Sequence, residues 1–369
     1  MAKPAVTRMG KWFPTTSHPL IISAPMLGVT NARLAAEVTK AGGLGFIQGG
    51  REFAPDSPEL KKLDEQLALA RSLVSSSSSS PETSDDQGPL PPLLPLGVGF
   101  LAYTKSAAHF PRTVVPILQK HRPAAVWLFA PHPEVPGTLR DMIASLRASS
   151  PSWTPRVAVQ VGTVAAAREA ARHGADVVVA QGIDAGGHQF ARGAGVVSLV
   201  PEIVDMLREE FADREVAVWA AGGIADGRGV AAALALGAEG AVLGTRYMVA
   251  TESDAQDFKR RAVLSTSDGA TSTVKSQLHD HIQSNYEWPD LYDGRAVIHP
   301  SYHDHVSGVS LEDNLKRYKA AKDEGDLSRM VTWSGTAVGL VRQELPAAEI
   351  TRRVREEALR VITGIKSNI

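Results

Sequence analysis

Residues 156–188 read RVAVQVGTVAAAREAARHGADVVVAQGIDAGGH. The stretch 156–161 is rich in β-branched residues, 164–173 is Ala-rich with apolar residues at helical spacing, and 177–181 is a second β-branched run. Strand, helix and strand follow with short joints, as expected for a parallel βαβ unit whose strands are buried on both faces. Beyond the second strand comes Gln181-Gly182-Ile183-Asp184-Ala185-Gly186-Gly187-His188, a loop too rich in glycine to continue either element.

Working outward, the same alternation recurs along the chain. Apolar runs at 20–24, 44–48, 94–99, 125–129, 216–220 and 240–244 complete a set of eight predicted strands. Helical patterns lie between them at 32–41, 57–74, 111–121, 137–148, 164–173, 198–211 and 227–236. Eight βα units in about 230 residues match a closed (β/α)8 TIM barrel. An open doubly wound sheet of five to seven strands is the competitor, and the count of eight favours the barrel. In such barrels the chemistry sits at the C-terminal ends of the strands, so the Gly-rich loop after 177–181 is the first candidate site.

The 369-residue chain exceeds one barrel, so a second unit is expected. After Thr245 the alternation stops, and residues 249–330, richer in charge, His and Tyr, read as a smaller, mainly helical satellite domain. The expected division is an arm at 1–19, the barrel at 20–248, the satellite at 249–330 and a C-terminal segment, 331–369, whose helix 347–362 packs back on the barrel. Residues 75–95, a serine tract followed by an acidic, Pro-rich stretch, read as a disordered insert. It joins a helix to a strand and therefore falls on the face opposite the site.

Composition narrows the function. Lys+Arg 39 against Asp+Glu 40 gives no net attraction to nucleic acid or to an acidic membrane. No apolar run approaches the length of a membrane span. The absence of cysteine excludes disulfides, a thiolate nucleophile and iron–sulfur clusters, and suits a cytoplasmic location. Lys3, Arg8 and Lys11, with no acidic residue before Glu37, resemble an organelle-targeting composition. Without an apolar core to that segment, a surface arm is the expectation.

Ala221-Gly222-Gly223-Ile224 follows the seventh strand, and Gly244-Thr245-Arg246 ends the eighth. Glycines at these ends serve tight turns, and they also let backbone N–H groups approach an anion; loops seven and eight of a barrel commonly hold a phosphate. His188 in the strand-six loop is a candidate base or hydrogen-bond partner for an anionic substrate. Asp184 is a candidate to orient it, or simply a turn residue. His279/His281 and His303/His305 are spaced like ligand pairs, but no cysteine or regular acidic spacing accompanies them, and no metal is expected. Gly97–Ala102 has the G-x-G-x-x-A form without the acidic residue about 20 positions later that a dinucleotide fold requires.

These segments, together with Ala24-Pro25-Met26-Leu27-Gly28-Val29 and Trp333-Ser334-Gly335-Thr336-Ala337-Val338-Gly339, resemble the nitronate monooxygenase family, formerly called 2-nitropropane dioxygenases. The Q-G-x-(D/E)-A-G-G-H string is the specific part. The resemblance implies an FMN-dependent oxidoreductase on a (β/α)8 barrel, acting on a nitronate or nitroalkane with O2. It implies that Ala24, Pro25 and Met26 lie along the flavin ring, with Gln181, Ala185, Gly186 and Gly187 beside it, and that Ala221, Gly222, Gly223, Gly244 and Thr245 serve the phosphate end. It gives His188 the position of the catalytic histidine. Gly99 stands where an Asn often contacts the flavin and Gln160 where a Lys often sits, which leaves flavin binding intact and the substrate open. The alternatives are an FMN enoyl-thioester or other activated-alkene reductase using NAD(P)H, and a flavin-binding barrel without turnover.

Overall fold

The computed structural model describes residues 7–75 and 92–368. Eight parallel strands form one sheet: β1 (Ile21–Ser23), β2 (Phe46–Gln48), β3 (Leu94–Leu101), β4 (Pro123–Phe129), β5 (Arg156–Val161), β6 (Val177–Gln181), β7 (Ala217–Ala221) and β8 (Gly240–Leu243). From β2 to β8 each strand pairs with its sequence neighbour, and β8 pairs with β1 in the register Ile21↔Ala241. The ring closes where the Leu44 N–H donates to Ile21 O (2.9 Å) and Leu44 O accepts from the Ser23 N–H (3.2 Å). Every residue of β4, β6 and β7 is buried, as strands covered on both faces must be.

Seven helices follow β1 to β7: α1 (Ala32–Lys40), α2 (Pro58–Ser75), α3 (Phe110–His121), α4 (Thr138–Arg147), α5 (Val164–Arg172), α6 (Val196–Glu210) and α7 (Gly227–Ala235). Their starts use local chemistry: Asn31, Thr163 and Asp226 accept hydrogen bonds from the first free N–H groups of α1, α5 and α7. The eighth helix, α8 (Ala347–Asn368), packs against α7 and α1 and fills the last place in the outer ring. Contact with α7 is close: a Cβ at Gly227 would lie 2.3 Å from Ala358 N, and Glu357 Oε2 accepts the Gly227 N–H at 2.8 Å.

The barrel interior is filled by Phe46, Trp127 and Trp219, packed edge to face or tilted at 5.3–6.3 Å. The segment expected as a surface arm is different in its described part. Arg8–Trp12 forms a short helix that plugs the N-terminal end of the barrel. Met9 and Phe13 are buried against Trp219, with Met9 Sδ accepting the indole N–H at 3.4 Å. Arg8 anchors the plug to Val216 O (2.8 Å) and Glu239 (3.2 Å), just before β7 and β8 begin. The reason is apolar burial by two residues spaced four apart, too few to announce an element in the sequence.

The predicted insert at 75–95 is ordered at both margins, since Ser75 closes α2 and Leu94 and Pro95 open β3; residues 76–91 lie outside the described residues. The excursion between β8 and α8 is largely helical, with Asp257–Ser265, Pro300–Val306 and Leu311–Asp323 as its longer helices. It also contains a three-stranded antiparallel sheet that the sequence reading did not anticipate: Thr273–Lys275, Tyr292–Val297 and, from the barrel's own strand-six loop, Gly187–Phe190. That last strand ties the satellite to the barrel and carries His188, paired in register with Gly294. Among the described residues no helix is long and apolar enough to cross a membrane.

Candidate active site

A cavity of about 810 Å³ opens at the C-terminal ends of the strands. His188 and every residue expected to touch the cofactor line it. Ala24, Pro25 and Met26 come from the end of β1, Gly99 from β3, Gln160 from β5 and Gln181 from β6. Ala185, Gly186, Gly187 and His188 come from the strand-six loop, Ala221, Gly222 and Gly223 from the end of β7, and Gly244 and Thr245 from the end of β8.

The glycines do different jobs. Gly222 and Gly223 have φ of 97° and 72°, and a Cβ at Gly222 would lie 2.6 Å from Gly182 O. The N–H groups of Gly223 and Ile224, just past the ladder, make no loop or turn hydrogen bond among the described residues, so this turn presents donors to the cavity. Gly186 and Gly99 instead permit close packing: a Cβ would lie 2.4 Å from Gly335 N and from Pro25, respectively. A Cβ at position 99 would thus press on the Pro25 ring unless that ring shifted. Gln160 accepts the Trp127 indole N–H at 3.0 Å, an uncharged role in place of a lysine.

Gln181 donates to His188 O (3.2 Å), while its Oε1 is buried without a partner. A buried acceptor left in this way costs about 1–3 kcal/mol, and a ligand N–H in the cavity would relieve it. Free donors at one end and an unmet acceptor farther along suit a group with a phosphate and a polar ring, such as a flavin mononucleotide.

His188 is held on three sides. Its Nε2 lies 2.9 and 3.0 Å from the two carboxylate oxygens of Asp280, itself 4% exposed. Trp288 stacks on the imidazole at 3.7 Å and 8°, and Trp333 leans on it at 4.8 Å. Tyr103 stacks in turn on Trp288 at 4.1 Å, and Arg51 donates to its hydroxyl. Because an ionised carboxylate only accepts, Nε2 is the donor and Nδ1 carries the lone pair of the neutral ring.

Asp184 does not orient His188. Its carbonyl accepts the Thr336 N–H (3.0 Å) and its carboxylate accepts the Thr336 hydroxyl (3.2 Å), fastening the strand-six loop to the C-terminal segment. Asp280 escaped the sequence reading because it lies 92 residues from His188 with no spacing motif to join them. The only hint was its place between His279 and His281, which drew attention to the wrong members of the triplet.

His279 is fully buried and its Nδ1 lies 3.0 Å from His299 Nε2, with Val274 O at 3.1 Å from its Nε2. Burial lowers the pKa of His279 and takes that of His299 down to about 3, so both rings are neutral. His281 stacks on Tyr286 instead. Among the described residues no three His, Cys, Asp or Glu side chains are grouped to hold a metal.

Comparison with known proteins agrees with this architecture. Residues 149–357 match the family model for nitronate monooxygenase. The chain is 52% identical to the nitronate monooxygenase of Neurospora crassa, over 99% of this chain and 96% of that one. It is 37% identical to nitronate monooxygenase npaC of Metarhizium robertsii, over 98% and 97% of the two chains. Among solved structures, FabK from Thermotoga maritima superposes with a TM-score of 0.71 at 23% identity, covering both chains fully. A nitroalkane oxidase from Streptomyces ansochromogenes superposes with a TM-score of 0.69 at 23% identity, over 97% of this chain and 100% of that one. At such identities these two speak for the TIM-barrel fold alone. The curated relatives and the family model carry the assignment: the chain is an oxidoreductase and belongs to the nitronate monooxygenase family.

Proposed function

We propose that this chain holds FMN in the barrel-mouth cavity and oxidises alkyl nitronates with molecular oxygen to a carbonyl compound and nitrite. The observation that carries the reading is His188, clamped between Asp280 and two indoles in the wall of a cavity whose far turns offer free N–H groups. Bound FMN would supply the electron transfer between nitronate and oxygen. Gly222, Gly223, Gly244 and Thr245 would hold its phosphate. Ala24, Pro25, Met26, Gly99, Gln160, Ala185, Gly186, Gly187 and Ala221 would wall its ring, and Gln181 Oε1 would accept a ring N–H.

His188 does the proton work. Nδ1 takes the α-proton of a neutral nitroalkane, or a protonated ring hydrogen-bonds a preformed nitronate. Asp280 keeps the Nε2–H in place and balances the imidazolium that forms, while Trp288 and Trp333 hold the ring's plane and exclude water from one side. The aromatic wall of Tyr103, Trp288 and Trp333 suits the apolar part of an alkyl substrate.

The test has two steps. Purified protein is denatured and its pigment chromatographed, with FMN expected; FAD, or no flavin after reconstitution, removes the cofactor reading. The FMN-loaded protein is then mixed anaerobically with a nitronate or with NADPH while the flavin spectrum is followed. Bleaching by nitronate and slow or no reaction with NADPH is expected. Rapid NADPH reduction coupled to reduction of an activated alkene transfers the assignment to an alkene reductase.

A further inference from the structure

One cation in the cavity wall has no partner. Lys259 lies on the helix Asp257–Ser265 of the satellite, half-buried, and lines the cavity together with Gly223, Ala225, Thr245 and Met248. The adjacent Arg260 is paired with both Asp257 and Glu344. Lys259 has neither an ion pair nor a side-chain hydrogen bond among the described residues; its ammonium lies 5.7 Å from the centroid of the Phe258 ring. Burial lowers its pKa and no carboxylate offsets that effect. A desolvated ammonium without an anion is costly, and a ligand anion would remove the cost.

The position of the helix identifies that anion. Val263, one turn beyond Lys259, packs in one cluster with Ala225 and Met248. Ala225 lies two residues past Gly223, and Met248 three past Thr245. The helix carrying Lys259 is therefore seated on the flank of both glycine turns, where the N–H groups of Gly223 and Ile224 make no loop or turn hydrogen bond among the described residues. Two backbone donors and one unpaired ammonium thus border the same end of the cavity. Backbone amides fix the geometry of a phosphate but bring only partial charge, and a full positive charge strengthens the hold on a dianion.

We propose that Lys259 is the counter-ion of the cofactor's phosphate monoester, so that the satellite, and not the barrel alone, holds the phosphate end. This rests on the reading of the cavity as an FMN site. The test titrates the flavin-stripped, full-length protein with FMN and with riboflavin, which has the same ring system and no phosphate. Lys259→Gln is expected to raise the Kd for FMN on the order of 10–100-fold, the worth of a hydrogen bond to a charged group. Riboflavin affinity should stay within about 2-fold of the wild type, and Lys259→Arg should recover most of the FMN affinity, because the charge is what matters. An FMN Kd unchanged in Lys259→Gln, an equal loss for FMN and riboflavin, or no recovery by Lys259→Arg overturns the assignment. The two readings fail separately: wild-type protein that takes up no flavin removes the FMN site itself, whereas tight FMN binding indifferent to Lys259→Gln removes only the counter-ion.

Discussion

The two ends of the barrel use the same eight strands for opposite purposes. At the N-terminal end, Met9 and Phe13 sit beneath Trp219 in a buried apolar plug. At the C-terminal end, the turns at Gly222, Gly223 and Gly244 bring bare backbone to the wall of a cavity of about 810 Å³. One end stores stability in packed area; the other gives up that packing to make room for a ligand. Stability and chemistry should therefore separate cleanly by mutation, and the separation can be tested from either end.

The largest effect is expected at the open end. His188→Asn should lower turnover of a neutral nitroalkane by roughly 10²–10⁴-fold, the usual range for a positioned base, while FMN content is unchanged. A preformed nitronate should suffer less, since its proton is already gone; equal loss on both substrates would argue against a base. At the closed end, Phe13→Ala should cost about 3–5 kcal/mol of stability, read by denaturant titration, with kcat per bound flavin unaltered. A fall in kcat at full flavin occupancy would break the division between the ends.

Asp280→Asn should retain flavin and lower activity on a neutral nitroalkane by at least about 10-fold, short of the His188 loss. The effect on a preformed nitronate should be smaller, a split that a purely structural aspartate would not produce. Gly222→Ala combines a left-handed backbone with a close approach to Gly182 O, and should cost about 1–3 kcal/mol along with part of the FMN affinity, measured by melting with and without added FMN. The smallest effect belongs to the closed end's loops. Removing residues 77–88 from the connection between α2 and β3 should leave kcat/KM within about 2-fold, because loop length enters stability only logarithmically.

The same division governs what could be read from the chain. The eight strands and the helices between them were legible because each is a continuous local pattern, β-branched or at helical spacing, and burial on both faces leaves the strands little freedom in composition. The glycines after β7 and β8 were legible as candidates because position along a barrel strand already implies a site. The separate duties of the site glycines were not, since Gly99 within β3 meets Pro25 whereas Gly222 has a left-handed backbone and meets Gly182 O, and neither neighbour is adjacent in sequence. Asp280 and Trp288 were illegible for a related reason: each comes from the satellite, which meets His188 through the small antiparallel sheet, and Trp333 stood in a legible segment whose contact with His188 did not show. Met9 and Phe13 show the same limit, as two apolar residues in a basic segment form no period.

The placement of α8 has a temporal meaning. The outer ring lacks its last member until the chain has passed through the whole satellite, and then Arg355 reaches back to Pro19 O and Ala41 O, a sequence separation of 336 residues for the first contact. Contacts so distant in sequence form slowly, and a chain emerging from its N-terminus cannot make them until its final residues are available. A nascent chain therefore carries seven helices and an uncovered seam between α7 and α1, with the apolar flank of the sheet open to other molecules. Completion of the ring and attachment of the satellite wall to the mouth become coupled late events, so the cavity matures only as the barrel is sealed.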